Sequence, residues 1–293
     1  MSTITITSFL RLRQTRGLLS ALVLSALASS EAMADENLFG YVSGAETLPA
    51  GHYDLEQFTT LRTGKDGGRY RGWDFESEVE YGVTDQLQLS ASLIQHHFDM
   101  NGVPGQDNRN DYVFGGVNLG AKYRIKSPYK DGYGLAFSPE IGLRRYDDVG
   151  GLIEHSLFIA PTLIYQKNAL GDTLVFAANG GFELAWGKKP AEQYDHELAL
   201  QGGAGISYRF APGWFAGVET HTRAEYPDFQ FPSNFEHWAV FAGPSLHYGA
   251  ERWWATLTWS YQVYGHGVDE PIPGYTYAEE TRSELRLKVG LNF

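Results

Sequence analysis

The stretch "WDFESEVEYGV" (residues 73–83) alternates through its first nine residues. In an extended chain Trp73, Phe75, Ser77, Val79 and Tyr81 share one side. Asp74, Glu76, Glu78 and Glu80 share the other, because strand side chains point to opposite faces with a period of two. One face begins and ends on aromatic rings, and the other is a column of carboxylates. A soluble sheet would set these against a core and water, whereas a membrane barrel would set them against lipid and a wet lumen.

The same pattern recurs along the chain. "LQLSASL" (87–93) sets Leu87, Leu89, Ala91 and Leu93 against Gln88, Ser90 and Ser92. In "YVFGGVNLGAKYRI" (112–125), Val113, Val117, Leu119, Ala121, Tyr123 and Ile125 read as the outward side, with Phe114, Asn118, Lys122 and Arg124 inward. Outward sets follow at Leu174, Phe176, Ala178, Phe182, Leu184 and Trp186, then at Trp238, Val240, Ala242, Leu246 and Tyr248. Another runs through Trp253, Ala255, Leu257, Trp259, Tyr261 and Val263. Helical spacing accounts for none of these as well.

Compact turns separate the strands at "YGVTDQ" (81–86), "KSPYKDG" (126–132), "KNALGD" (167–172), "APG" (211–213) and "GAE" (249–251). Longer polar connections alternate with them: "TGKDGGR", "DMNGVPGQDNRND", "YDDVGG", "GKKPAEQ", "EYPDFQFPSN" and "GHGVDEPIPGYTYAEE". Short turns alternating with long loops are the asymmetry of an outer-membrane barrel. The expectation is an all-β fold, a transmembrane antiparallel β-barrel of about twelve strands with both termini periplasmic. A periplasmic β-sandwich would have to hide more alternating strands, and its outward aromatics would form unexplained patches.

The N-terminus agrees with that compartment. Arg11, Arg13 and Arg16 precede an apolar run, "GLLSALVLSALASS" (17–30), and "AMA" (32–34) supplies small residues for cleavage. The run is shorter than the roughly 20 residues a helical span needs. Residues 1–34 therefore read as a secretory signal peptide, 35–47 as an N-terminal periplasmic lead and 48–293 as the barrel. Without the leader, 20 basic and 34 acidic residues remain, a formal charge of about −14, which offers no electrostatic footprint for nucleic acid. There is no cysteine, so no disulfide framework exists.

Aromatics mark two levels. Trp73, Trp186, Tyr194, Trp238 and Tyr261 fall near the long loops. Tyr81, Tyr123, Tyr165, Tyr208, Trp214, Tyr248 and Trp253 fall near the short turns. Such rings favour a membrane interface, where the body is apolar and the N–H or O–H stays hydrated.

The chain ends on "LRLKVGLNF", alternating Leu285, Leu287, Val289, Leu291 and Phe293. This resembles the C-terminal strand of bacterial outer-membrane β-barrel proteins, and the resemblance implies that Phe293 serves as a signal to the barrel assembly machinery. With turns such as "YGVTDQLQL", the chain as a whole resembles the porin-like barrels associated with phenol-degradation pathways and related outer-membrane families. No binding residue carries over from that resemblance.

The inward columns hold the concentrated chemistry. Asp54 and Glu56 precede Asp74, Glu76, Glu78 and Glu80; Lys122, Arg124, Glu140 and Arg144 follow; Arg286 and Lys288 return on the last strand. Around the periplasmic end the expected order is Lys288, Glu56, Glu80, Lys122, Arg124 and Glu140. Two readings stand side by side: a salt-bridged interior that braces the wall, and a charged constriction that sorts solutes. Ser245 and His247 share an inward face, and Glu154, His155 and Ser156 alternate in direction, so neither set assembles nucleophile, base and orienter. His96 and His97 read as hydrated residues at a strand end. No catalytic residue, metal or cofactor is expected.

The function expected is passage of small solutes across the outer membrane of a Gram-negative bacterium, with lipid and lipopolysaccharide as surroundings. A non-conducting structural or adhesive barrel and an outer-membrane enzyme are the alternatives.

Overall fold

The computed structural model describes residues 37–188, 194–268 and 270–293, and these form a closed barrel with no helix among them. The strands are β1 (Tyr53–Thr63), β2 (Arg69–Thr84), β3 (Leu87–Asn101), β4 (Arg109–Lys126), β5 (Gly134–Tyr146) and β6 (Ile153–Ala169). They continue as β7 (Leu174–Lys188), β8 (Tyr194–Ala211), β9 (Trp214–Pro227), β10 (His237–Gly249), β11 (Trp253–Gly267) and β12 (Ser283–Asn292). Each strand pairs antiparallel with its sequence neighbours. β12 closes on β1 with a register from Asp54↔Asn292 to Thr63↔Ser283. Full closure leaves no sheet edge unpaired.

All five compact turns expected from the sequence lie at one end, and the longer loops lie at the other. The start of β1 and the chain terminus meet at the short-turn end, where Tyr53 N donates to Phe293 O (3.1 Å) and Phe293 N donates to Tyr53 O (2.9 Å). The β8–β9 turn uses Pro212 followed by Gly213 at φ 74°, a backbone region that a residue with a Cβ rarely adopts. A Cβ at Gly213 would also meet Gly249 O at 2.5 Å. At the β2–β3 turn the Thr84 hydroxyl accepts from Gln86 N (3.2 Å) and Leu87 N (3.0 Å), a local substitute for ladder bonds.

Large apolar side chains point outward, as the alternation requires: Val79, Leu93, Leu119, Leu163, Leu257 and Leu287 are all exposed on the barrel's outer surface. Rings gather at the two ends. Near the short turns Tyr53 meets Tyr81 (4.6 Å between centroids), and Trp214, Tyr248 and Trp253 form a row (4.7 and 5.1 Å). Near the long loops Trp73, Phe75 and Tyr112 line up (6.3 and 5.9 Å), as do Trp259 and Tyr261 (4.9 Å). The Tyr194 side chain and most of the "GKKPAEQ" loop lie outside the described residues.

One strand departs from the expected faces. In β4, Tyr112 and Phe114 are exposed on the outside, while Val113 packs inward on the cluster of Tyr70, Phe98, Met100 and Val103. The ladder pairs Ile94 with Gly116 but Gln95 with Phe114, so Gly115 is an extra residue and the alternation inverts there. Past the bulge the expected assignment holds, with Leu119 and Tyr123 outward and Asn118 buried inside.

The second departure concerns the lead. Residues 37–47, expected to approach the barrel from the periplasm, lie inside it: Leu38, Phe39, Val42 and Ala45 are among the most buried residues of the chain. Phe39 and Val42 pack on Val175 and Ala177 of β7, and Ala45 packs on Ala136 and Ile164. The signal peptide and residues 35 and 36 lie outside the described residues.

Candidate functional site

The lumen is the candidate site, and the N-terminal segment runs through it. From Asn37 to Leu48 this segment passes almost every strand in turn. It is fixed by wall side chains that accept from its backbone amides, the groups a non-ladder segment leaves without partners. The Glu219 carboxylate on β9 accepts from Gly40 N (2.7 Å), Tyr41 N (2.9 Å) and Val42 N (3.3 Å), and also from the Thr258 hydroxyl (2.7 Å). Asn179 on β7 accepts from Ser43 N (2.6 Å) and donates to Ser43 O (3.0 Å). Gln166 on β6 takes Ala45 N (2.8 Å), and Gln88 on β3 takes Leu48 N (2.8 Å). Glycines make room: a Cβ at Gly205 would stand 2.6 Å from the Phe39 ring.

Of the ring expected around the short-turn end, Lys288, Glu56, Lys122 and Arg124 engage the segment. Lys288 Nζ donates to Asn37 Oδ1 (2.5 Å), and Asn37 Nδ2 donates to Glu56 (2.9 Å). Arg124 pairs with Glu46, and Lys122 Nζ lies 3.5 Å from Glu46 O. Asp54 and Glu80 are buried on the same level, with Trp254 Nε1 donating to Asp54 (3.2 Å). Glu140 is not part of this ring. It lies farther along the lumen, lining a cavity of about 170 Å³ with Glu76 and Arg144. Glu78 accepts from the Ser92 hydroxyl (2.9 Å). Arg286 donates to Thr60 (2.8 Å) and lies 4.0 Å from the centre of the Tyr41 ring.

Two hubs toward the long-loop end were not anticipated. Arg62 joins Glu284 (3.1 Å), Asp148 (3.0 Å) and Asp74, and Asp74 in turn bonds His96 Nδ1 (2.7 Å). Arg223 joins Glu183 (3.3 Å), Glu197 (3.1 Å) and Glu225, and Glu183 also holds Arg144 (3.2 Å). Period-two reading places Arg62 inward with Asp54 and Glu56, which is the signal that could have found it. Nothing local announces its partners, which lie on β2, β12 and the β5–β6 loop. On that loop, burial and neighbouring Asp148 push Asp147 up to about 6. Although burial opposes it, Arg62 holds Asp148 well below the usual carboxylate range.

His96 corrects the expectation of a hydrated surface residue. It is buried, because β3 turns it inward opposite the side-chain-free Gly115. Ser245 and His247 do face inward, but His247 Nδ1 pairs with the Thr256 hydroxyl (2.7 Å). That hydroxyl spends its proton on Asn37 O (2.5 Å), so Nδ1 is the donor. His155 faces out, while Glu154 and Ser156 turn inward.

Space remains on both sides of the segment. A cavity of about 790 Å³ opens on the long-loop side, with Tyr41, Arg62, Arg144, Arg223 and Arg286 in its wall. Another of about 400 Å³ opens on the short-turn side, bounded by Glu46, Thr47, Leu48 and Asp54. The geometry is that of two cavities with a peptide belt between them.

Residues 31–293 match a family described as "Family of unknown function (DUF6662)". No curated protein matches the chain. Among solved structures it is similar to the COG4313 outer membrane channel from Pseudomonas putida F1, with a TM-score of 0.62 and 11% identity over 85% of this chain and 98% of that one. It is also similar to the NanC porin (TM-score 0.49, 13% identity, 82% and 98% covered) and the KdgM porin (0.44, 12%, 82% and 99%). At 11% identity the likeness to the COG4313 channel is one of fold.

Proposed function

This chain belongs to the DUF6662 family, and we propose that it is an outer-membrane channel for small hydrophilic solutes. In this reading the short turns and both barrel termini face the periplasm, and the belt of residues 37–48 restricts the passage. The supporting observation is the pair of cavities on either side of the belt, within a wall that turns charged side chains inward and apolar ones outward. A soluble protein would have no use for that arrangement, whereas a barrel in lipid requires an apolar exterior and tolerates a wet interior. The lumen carries more carboxylates than basic groups, with Asp54, Glu56, Asp74, Glu76, Glu78 and Glu80 on two adjacent strands, so cations are the preferred ions.

Planar-bilayer recording of the refolded protein tests this. The parent should show small, cation-selective conductance steps. Replacing Glu76, Glu78 and Glu80 together by Gln keeps side-chain shape and removes three charges. Selectivity should shift away from cations, most visibly at low salt, where the Debye length reaches roughly 30 Å. Unchanged selectivity in a folded triple variant would make this column a brace and not a filter.

A second reading, a non-conducting barrel acting through its loops, draws on the same belt, since the belt occupies much of the lumen. Absence of current from both the parent and a variant lacking the belt would favour it.

Assembly supplies a separate test. Phe293 is exposed on the outer surface while its backbone pairs with Tyr53. Phe293→Asp leaves those backbone bonds possible and removes the terminal ring. Levels of the barrel in the outer membrane should fall; parental levels would leave Phe293 without a role as an assembly signal.

A further inference from the structure

At the long-loop rim, β9 and β10 pair Glu225 with His237, and Glu236 precedes His237 in the chain. A carboxylate oxygen from each of Glu225 and Glu236 and a ring nitrogen of His237 all lie within 4.8 Å of one another. His237 is only 4% exposed, yet neither ring nitrogen makes a hydrogen bond. Nδ1 stands 3.9 Å from Glu225 Oε2, and Nε2 stands 3.5 Å from Glu280 Oε1 on the β11–β12 loop. A buried imidazole ordinarily satisfies both nitrogens. Here each looks across a gap at a carboxylate.

We propose that Glu225, Glu236 and His237 bind a divalent transition-metal ion of the zinc or manganese class, with Glu280 orienting the imidazole. Oxygen and nitrogen ligands at about 2.0–2.2 Å from one tetrahedral ion stand roughly 3.3–3.6 Å apart, so three atoms within 4.8 Å of one another close on it by about 1 Å. Nδ1 then gives its lone pair to the ion, and Nε2–H donates to Glu280. This is the carboxylate–histidine–metal relay that fixes the tautomer and raises ligand basicity. An imidazole donor selects a first-row transition ion over calcium or magnesium, which take oxygen ligands. Glu225 is available because Arg223 engages its other oxygen.

The ion would fasten a loop to the barrel rim. Glu280 belongs to the connection between β11 and β12, which is already tied down by Gln262 accepting from Thr276 N (2.8 Å) and by Lys65 donating to Ala278 O (3.0 Å) and Glu279 O (2.7 Å). Thr276 and Thr281 are fully buried, so this loop lies against the mouth instead of standing clear of it. A metal on β9 and β10 that orders Glu280 completes that closure.

Isothermal titration of the full refolded chain, chelator-treated and then given zinc, manganese or calcium chloride, decides the matter whether or not the barrel conducts. One equivalent of zinc or manganese should bind, more tightly than calcium. His237→Gln should weaken it by more than about tenfold, since even an outer-shell partner is worth 10–100-fold. Glu280→Gln, on the loop alone, should weaken it by about 10–100-fold without changing the stoichiometry. Asp54→Asn, in a separate acidic group at the short-turn end, should leave the zinc and manganese affinity of the rim site as it is. Heat-modifiable migration on gels verifies the fold of each variant. If His237→Gln does not fold, Glu280→Gln carries the decision. Parental affinity in the folded variants, tighter calcium binding, or loss of the site on Asp54→Asn would each overturn the proposal.

Discussion

Deleting residues 37–47 from the mature chain should raise single-channel conductance severalfold while leaving the barrel folded. The segment fills the space between the two cavities, and its removal joins them. The closed ladder and the apolar outer face do not include the segment, so the barrel should stay folded although the inner packing of Phe39, Val42 and Ala45 is lost. Water can solvate the wall groups it leaves behind, among them Arg124 and Lys288. A point substitution reaches the same end. Glu219 accepts from three successive backbone amides, and hydrogen bonds to a charged group contribute about 1.5–3 kcal/mol each. Glu219→Ala removes them and leaves those amides buried without partners. The segment should become a protease target in the folded barrel, and conductance should move toward that of the deletion. Equal conductance in parent and deletion would show that the belt does not limit flow.

Leu257→Arg should destabilise the inserted barrel by about 2–4 kcal/mol, the cost of a cation on the lipid face near the midplane. Leu257 lies midway along the outward row from Trp253 to Tyr261, between Leu246 and Leu287 on the neighbouring strands. Val79→Arg should cost less, because Val79 is only two residues from the interfacial ring of Tyr81 and the arginine can reach toward headgroups. Denaturant titration in lipid vesicles measures both. The order matters as much as the size: a depth gradient follows only if Tyr81 and Trp253 mark one interface. If Leu257→Arg is silent while the Gln triple variant fails to insert, the inner and outer faces have been exchanged.

How much of this was legible in advance differs from strand to strand. β2, β3, β7, β10, β11 and β12 carry their faces in the sequence because alternation is local and each residue's direction follows from its neighbour's. The six long and five short connections were legible for a similar reason, since glycine, proline and short polar residues act within a few positions. The wall side of the lumen, from Asp54 through Lys288, follows from the same parity.

Tertiary structure decided the rest. In β4 one extra residue at Gly115 inverts Val113 and Phe114, and it exists only relative to the partner strand, where Ile94 and Gln95 show the slip. Arg62 finds its carboxylates on β2, β12 and the β5–β6 loop, and Arg223 finds two of its three on β7 and β8, so their pairing depends on strands meeting in the barrel. The N-terminal segment is the clearest case: Leu38, Phe39 and Val42 show no period, and nothing near them in the chain can bury them. Their seat is built from Glu219, Asn179 and Val175, well over a hundred residues away. A strand's faces depend on the direction of its own side chains, but a segment without a ladder can be placed only by the cavity that receives it.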